Sequence, residues 1–372
     1  MMGQADFLKG FTKELKGMEG VGTASSPPRY WYSTSNYVLN RIISGSFYKG
    51  IPQGRITNFA GPSGGGKSYL SANVVRAAQQ AGAMILVIDS ENALDDTFMQ
   101  NVGIDTKKDD YLYADVVTIS DVAKVVSRFL KGYKESFGHG EDAPQALILI
   151  DSLDMLITDT EQEHYDKGVQ KGDQGQKNKQ LKQMLRTFIQ DIKRLNVAMV
   201  VTSQVYKNQD VMNGEGVWIV SDAVKYSASQ IVLLTKLKLR EGTGIKKEVT
   251  GIRMKCEGYK TRFTKPFQTV TIEVPYDDGL DAYSGLLETA TEMEVVIKEG
   301  KRYRVFGKDD LWWEKDIAQH ADGILLACEA KGQTFLTGEV TTAEVEDDET
   351  ETQEETAARR KNKVKGSKAK KR

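Results

Sequence analysis

Cysteine and histidine are scarce in this chain. Of 372 residues, two are cysteines, Cys256 and Cys328, and three are histidines, His139, His164 and His320. The cysteines lie far apart and in no paired motif, so they read as reduced thiols and exclude a disulfide framework. Three scattered histidines do not make a metal centre. Long apolar runs are missing as well. None approaches the roughly 20 residues of a membrane span, and the opening "MMGQADFLKGFTKEL" lacks a signal-peptide layout. The net charge is only −1. That balance hides a segregation. Residues 344–355, "EVEDDETETQEE", carry eight acids and no base, and residues 359–372 carry nine bases and no acid. The rest of the chain has a net of −2, which excludes a generally basic surface and makes any polyanion site local. Neither charged block can bury apolar surface, and both are expected to be disordered.

What is present is a core. Hydrophobic residues make up 40% of the chain, and four runs are continuously apolar: "AMILVID" (83–89), "ALILIDS" (146–152), "VAMVVTSQ" (197–204) and "SQIVLLTK" (229–236). Continuous rather than alternating apolarity predicts strands covered on both faces. Leu181, Met184, Leu185, Phe188, Ile189, Ile192 and Leu195 fall at helical spacing between the second and third runs. The pattern predicts a parallel sheet wrapped by helices, with ligands at the carboxyl ends of its strands. The stretch "GIRMKCEGYKTRFTKPFQTVTIEV" (251–274) predicts later antiparallel strands.

One turn of this pattern has its own chemistry. In "FAGPSGGGKSYLSANVV", Gly61, Pro62, Ser63, Gly64, Gly65, Gly66, Lys67 and Ser68 match the spacing G-x-x-x-x-G-K-[ST]. "RITNFA" before it reads as a strand, and "SYLSANVVRAAQQAG" after it reads as a helix closed by glycine. Glycines let the backbone curl its N–H groups around a phosphate chain at a helix N-terminus. Lys67 then faces the β- and γ-phosphates, and Ser68 ligates Mg²⁺.

Acids stand at the neighbouring strand ends. Asp151 closes "ALILID" and fits a Walker B position, holding the Mg²⁺ shell with Ser68, where a plain helix cap is the alternative. Asp89 and Glu91 follow "LVI", and a carboxylate there can orient water towards a γ-phosphate. Spacing does not choose between them. Thr202, Ser203 and Gln204 end a third strand, where Gln204 can donate to the γ-phosphate.

In this order, the phosphate loop, "LVIDSENALDDTFMQNVGID", "ALILIDS", "VVTSQ" and "DAVKYSASQIVLL" resemble the RecA recombinase family over about residues 36–300. "TVTIEVPYDDGLDAYSGLLETA" and "YKTR" look most like its phage branch, the UvsX-type strand-exchange proteins. The resemblance implies an α/β fold: a RecA-like P-loop ATPase core with a mostly parallel central sheet, a short N-terminal oligomerisation helix and a small C-terminal appendage. It implies an ATP- and Mg²⁺-dependent, DNA-stimulated ATPase. Such a protein forms a helical filament on single-stranded DNA and pairs it with homologous duplex. Glu91 matches the catalytic glutamate, Phe98 the aromatic that stacks on adenine, with Tyr69 beside the phosphate loop. Gln204 matches the γ-phosphate sensor. Lys260 and Arg262 match a cation pair that reaches the neighbouring subunit's ATP, an arginine finger in trans. Lys225 falls near the expected subunit interface. A recombination mediator and a single-strand-binding protein are the further partners implied, with no membrane, in the cytoplasm of a host if the protein is phage-encoded.

Two loops are expected to touch DNA. The first, residues 158–180, is polar, and residues 167–194 carry eight bases against two acids, the footprint of a phosphate backbone. Lys167, Lys171, Lys177 and Lys179 are its candidates. The second, residues 205–222, offers Lys207 and the stacking face of Trp218. At the N-terminus, Phe7, Leu8, Phe11 and Leu15 line one side of a short helix, expected to dock on a neighbouring copy and extend a head-to-tail assembly. The expected division is 1–35 for this helix and its linker, 36–285 for the core, 286–340 for a small C-terminal domain in which Trp312 and Trp313 pack, and 341–372 for the charged tail. A ring-forming helicase motor and a nucleotide-binding accessory protein are the competing readings. The 60 residues ahead of the phosphate loop leave little room for the extra domain of the first. The intact Lys67, Ser68, Glu91 and Asp151 count against the second.

Overall fold

Alternation decides which side of the sheet each residue of the apolar runs covers. The computed structural model describes residues 3–15, 27–169, 175–207, 218–241 and 248–336. The chain passes through α1 (Gln4–Glu14), β1 (Trp31–Tyr32), α2 (Tyr37–Ser44), β2 (Ile51–Pro52), β3 (Ile56–Ala60), α3 (Lys67–Gln80), β4 (Met84–Asp89), α4 (Asp96–Val102) and β5 (Tyr111–Asp115). It continues through α5 (Ile119–Phe137), β6 (Ala146–Asp151), α6 (Asp159–Asp166), α7 (Gln176–Ile192), β7 (Val197–Ser203), β8 (Tyr206–Lys207), β9 (Trp218–Ile219) and α8 (Asp222–Ser227). The last elements are β10 (Gln230–Glu241), β11 (Glu248–Lys260), β12 (Thr269–Pro275), α9 (Leu286–Glu292), β13 (Val296–Glu299), β14 (Arg302–Val305), β15 (Trp312–Trp313) and α10 (Ile317–Leu336). The chain divides into two units, residues 1–329 and 330–372. The second contributes only the final turns of α10 to the described structure.

The main sheet has eight strands in the order β12-β11-β10-β3-β7-β6-β4-β5. From β10 to β5 all neighbours are parallel, and β10, β11 and β12 pair antiparallel. This is the mostly parallel sheet expected from the runs. Ile85, Val87, Leu147, Leu149, Ala198 and Val200 point to one face and pack with Leu70, Val74 and Val75 of α3. Leu86, Ile88, Ile148, Ile150, Met199 and Val201 point to the other and pack with Val122 and Val126 of α5 and Leu185 and Phe188 of α7. Every residue of β6 and β7 is buried, because a side-chain period of two fills both layers at once. The helical stripe of α7 is buried at Leu181, Met184, Leu185, Phe188 and Ile192. Leu195 lies beyond the helix end but is buried too. Both thiols, Cys256 on β11 and Cys328 on α10, are buried and joined in no disulfide.

Two sequence readings meet a different local structure. The stretch read as one loop, 158–180, contains α6. Its start is a capping box: the Thr158 side chain accepts from Glu161 N, and the Glu161 side chain accepts from Thr158 N. Asp159 and Glu161 in its first turn favour the positive end of the helix dipole. Trp312 and Trp313 do not pack alike, since neighbours on a strand face opposite ways. Trp312 is buried and stacks on Tyr303, whereas Trp313 is 43% exposed with the Arg302 guanidinium over its ring. The amphipathic α1 forms as expected, with Phe7 and Phe11 stacked at 5.9 Å, and Phe7, Leu8 and Phe11 stand exposed.

Candidate nucleotide site

The strand order puts the carboxyl ends of β3, β7, β6 and β4 side by side, and the polar residues of the motifs sit there. Gly61 N donates to Ser203 O at 3.1 Å, tying the start of the phosphate loop to the end of β7. Asp89 and Asp151 are register partners at the ends of β4 and β6. Helix α3 begins at Gly66, whose φ of +93° suits glycine. A Cβ there would meet Met254 Sδ at 2.3 Å. No side chain caps α3, as none caps α1, α7, α8 or α9, whereas α2, α4, α5 and α6 are capped by Asn36, Asp95, Thr118 and Thr158. The first amides of α3 and the positive end of its dipole are thus left to a ligand, which is the physical basis of an anion site. Lys67 is buried, its Nζ donating to Gly61 O at 3.0 Å and Pro62 O at 3.1 Å.

These residues open onto a cavity of about 440 Å³ lined by Ser63–Tyr69, Glu91, Ala93, Phe98, Gln204, Lys236, Ile252, Val274, Pro275, Tyr276 and Gly279. It brings together the predicted phosphate loop, Glu91, Phe98 and Gln204. The wall from β10, β11 and β12 was not read from the sequence. It comes from distant segments, and its one local sign is an aromatic, Tyr276, just past the end of a strand and 65% exposed.

The three acids behave differently. Asp89 is buried and committed. Its Oδ1 accepts from Glu91 N at 2.9 Å, and its Oδ2 accepts from Leu94 N at 2.8 Å and Tyr113 OH at 3.1 Å. It organises the loop after β4. Glu91 is exposed in the cavity and accepts from Ser152 Oγ at 2.5 Å. Asp151 is buried. Burial raises its pKa above the ordinary carboxylate value. The Thr202 and Ser68 hydroxyls oppose that shift, and the nearby Glu91 and Asp89 add to it. Its Oδ1 accepts from Thr202 Oγ1, and its Oδ2 has no partner. An orphaned carboxylate oxygen beside the Ser68 hydroxyl fits a hard oxygen-seeking cation. Among the described residues no cluster of three or more His, Cys, Asp or Glu could hold a metal.

The remaining candidates lie elsewhere. Lys260 and Arg262 do not line the cavity. Lys260 Nζ donates to Lys225 O at 2.5 Å and Ala228 O at 2.8 Å, capping the C-terminal end of α8. Burial and then the Arg262 charge lower its pKa, and the same two causes lower that of Arg55. Neither Lys260 nor Arg262 has a carboxylate partner among the described residues. Lys167 pairs with Glu163 at 3.5 Å, Lys179 is exposed, and Lys177 Nζ donates to Asp154 O at 2.5 Å. Asp154 also takes Gln204 N at 2.6 Å and Tyr206 OH at 2.8 Å, so one residue, unforeseen in the sequence, ties the roots of both loops. Lys171 and the side chains of Lys207 and Trp218 lie outside the described residues, as does the tail beyond 336.

Residues 31–281 match the family of the RecA N-terminal domain. The chain belongs to the RecA family. It is 27% identical over 272 residues to Protein RecA of Methylococcus capsulatus, covering 72% of each chain. It is 28% identical over 299 residues to Protein RecA of Aquifex pyrophilus, covering 80% of this chain and 78% of that one. With Protein RecA of Thermus aquaticus it shares 26% over 272 residues, 72% and 74% of the two chains. No helix among the described residues is long and apolar enough to cross a membrane.

Proposed function

We propose that this RecA-family chain is an ATP-dependent recombinase of the phage UvsX type. It assembles as a helical filament on single-stranded DNA, pairs it with homologous duplex and exchanges strands, hydrolysing ATP with Mg²⁺ as it does so. The uncapped amides of α3 and the loop from Gly61 to Ser68 hold the phosphates. Lys67 turns from its own carbonyls to the terminal phosphates. Ser68 and Asp151 hold Mg²⁺, which offsets phosphate charge when bound. Glu91 orients the attacking water. Gln204 donates to the γ-phosphate, and its backbone bond to Asp154 ties that contact to the loop roots. Phe98, Tyr69 and Tyr276 offer aromatic faces to the base.

The observation that supports this reading best is the separation of two cation sets. Lys67 lies inside the cavity, while Lys260 and Arg262 lie outside it with no anion of their own among the described residues. A neighbouring protomer's phosphates supply that anion, as for an arginine finger in trans. The exposed apolar side of α1 docks on a neighbouring copy. Lys167, Lys171, Lys177, Lys179, Lys207 and Trp218 form the DNA-facing set, and a mediator and a single-strand-binding protein are further partners. The division at 35, 285 and 340 belongs to the same reading. Electron microscopy with ATP and single-stranded DNA tests it. Continuous filaments are expected. Closed rings would favour a helicase motor, and neither form would favour an accessory protein.

A further inference from the structure

The geometry points to Ser152 as the residue that positions Glu91 for hydrolysis. Glu91 is exposed at the cavity wall, and a free glutamate there samples many rotamers. A water-orienting carboxylate must be held within hydrogen-bond reach of one place, and fixing a glutamate rotamer has an entropic cost that a partner must offset. Among the described residues, Glu91 has one hydrogen bond to its carboxylate, from Ser152 Oγ at 2.5 Å.

Ser152 is itself immobile. It is completely buried. Its N–H donates to Ser90 Oγ at 3.0 Å, and Ser90 Oγ donates back to Ser152 O at 2.7 Å. Ser90 N donates to Asp151 O at 2.8 Å. The ends of β4 and β6 are closed into one ring by these bonds, and the Ser152 hydroxyl is the group in it that reaches Glu91. The bond occupies Oε1 and leaves Oε2 for water. Ser152 touches neither substrate nor metal in this scheme. It is a positioning residue that acts through Glu91, supported by a second layer of locked hydrogen bonds.

The inference rests on the reading of Glu91 as the water-orienting carboxylate. The test is a double-mutant cycle on the full chain, with kcat and KM for DNA-stimulated ATP hydrolysis, ATP affinity and thermal unfolding measured for each variant. Ser152→Ala keeps the backbone bonds to Ser90 and removes only the hydroxyl. It is expected to lower kcat on the order of tenfold to a hundredfold, the scale of a misplaced reacting group. ATP affinity and melting temperature should stay close to those of the parent. In a Glu91→Gln background the same substitution should cost no more than about twofold, because the group being positioned is already lost. If Glu91→Gln lowers kcat but Ser152→Ala does not, or if Ser152→Ala costs as much in both backgrounds, the positioning role is overturned. If Glu91→Gln leaves kcat unchanged, the reading of Glu91 fails first. Should Ser152→Ala unfold early, Ser152→Cys gives the same comparison, since a thiol is a much weaker donor of similar shape.

Discussion

Lys67 and Lys260 both rest on backbone carbonyls, one at the phosphate loop and one at the end of α8. Lys67 is enclosed by the cavity it serves, with the amides of α3 beside it. Lys260 stands near Arg262, where partial burial and then that like charge make it a costlier cation, and Arg262 acts in the same way on Arg55. On the proposed reading this contrast sorts the charges of one protomer: a cation packed beside uncapped amides serves its own ligand, while cations that repel one another outside the cavity serve one brought by another molecule.

The largest expected effect is at Lys67. Lys67→Ala removes a charge-assisted phosphate contact, and ATP hydrolysis should drop at least about a hundredfold. Near-normal turnover would erase the distinction drawn above. Next comes a mixing experiment. Lys67→Ala and a Lys260→Ala/Arg262→Ala variant should each be inactive alone. Mixed filaments contain junctions that pair an intact loop with intact neighbouring cations, so part of the DNA-stimulated ATPase should return. Absence of rescue in confirmed mixed filaments would leave Lys260 as a cap for α8 and nothing more.

Tyr276 sharpens the cavity side of the comparison. Tyr276→Ala should raise KM for ATP about five- to tenfold with little change in kcat, since an aromatic face contributes about 1 kcal/mol to ground state and transition state alike. A fall in kcat without a change in KM would place Tyr276 in the chemistry instead. The smallest effect concerns stability. Burial raises the pKa of Asp151, so the folded chain holds that proton more tightly than the unfolded one. Without ligand, its contribution to stability is therefore greatest at acid pH and is lost as pH rises through the raised value. Asp151→Asn should melt about 2 °C higher at neutral pH without nucleotide. Unchanged or lower stability would mean that the Thr202 and Ser68 hydroxyls already compensate the charge.

The phosphate loop was legible because its chemistry lies in consecutive residues, and β4, β6 and β7 because burial on both faces leaves unbroken apolar runs. Glu91 and Asp89 could not be separated by spacing. What separates them is that the loop amides of Glu91 and Leu94 close on Asp89, which a one-dimensional reading does not contain. Lys236 and Tyr276 reach the cavity through the order β12-β11-β10-β3, which brings segments some 200 residues apart in sequence to one wall. Nothing in the sequence marks Asp154, on which Lys177, Gln204 and Tyr206 converge from separate segments. Family resemblance supplied Phe98 and the cation pair, which no local pattern marks.

The two buried thiols give this chain a built-in clock. Burial pushes the pKa of the Cys256 thiol far above its ordinary value, so the reactive thiolate is suppressed while the native sheet is closed. Cys328 is equally buried, on a helix rather than a strand. Alkylation of either should then wait for a local opening, and its rate should report the free energy of that opening. One reagent followed by mass spectrometry would time β11, at the edge of the nucleotide cavity, against α10 in the same sample. If ATP and DNA tighten the cavity, Cys256 should slow more than Cys328.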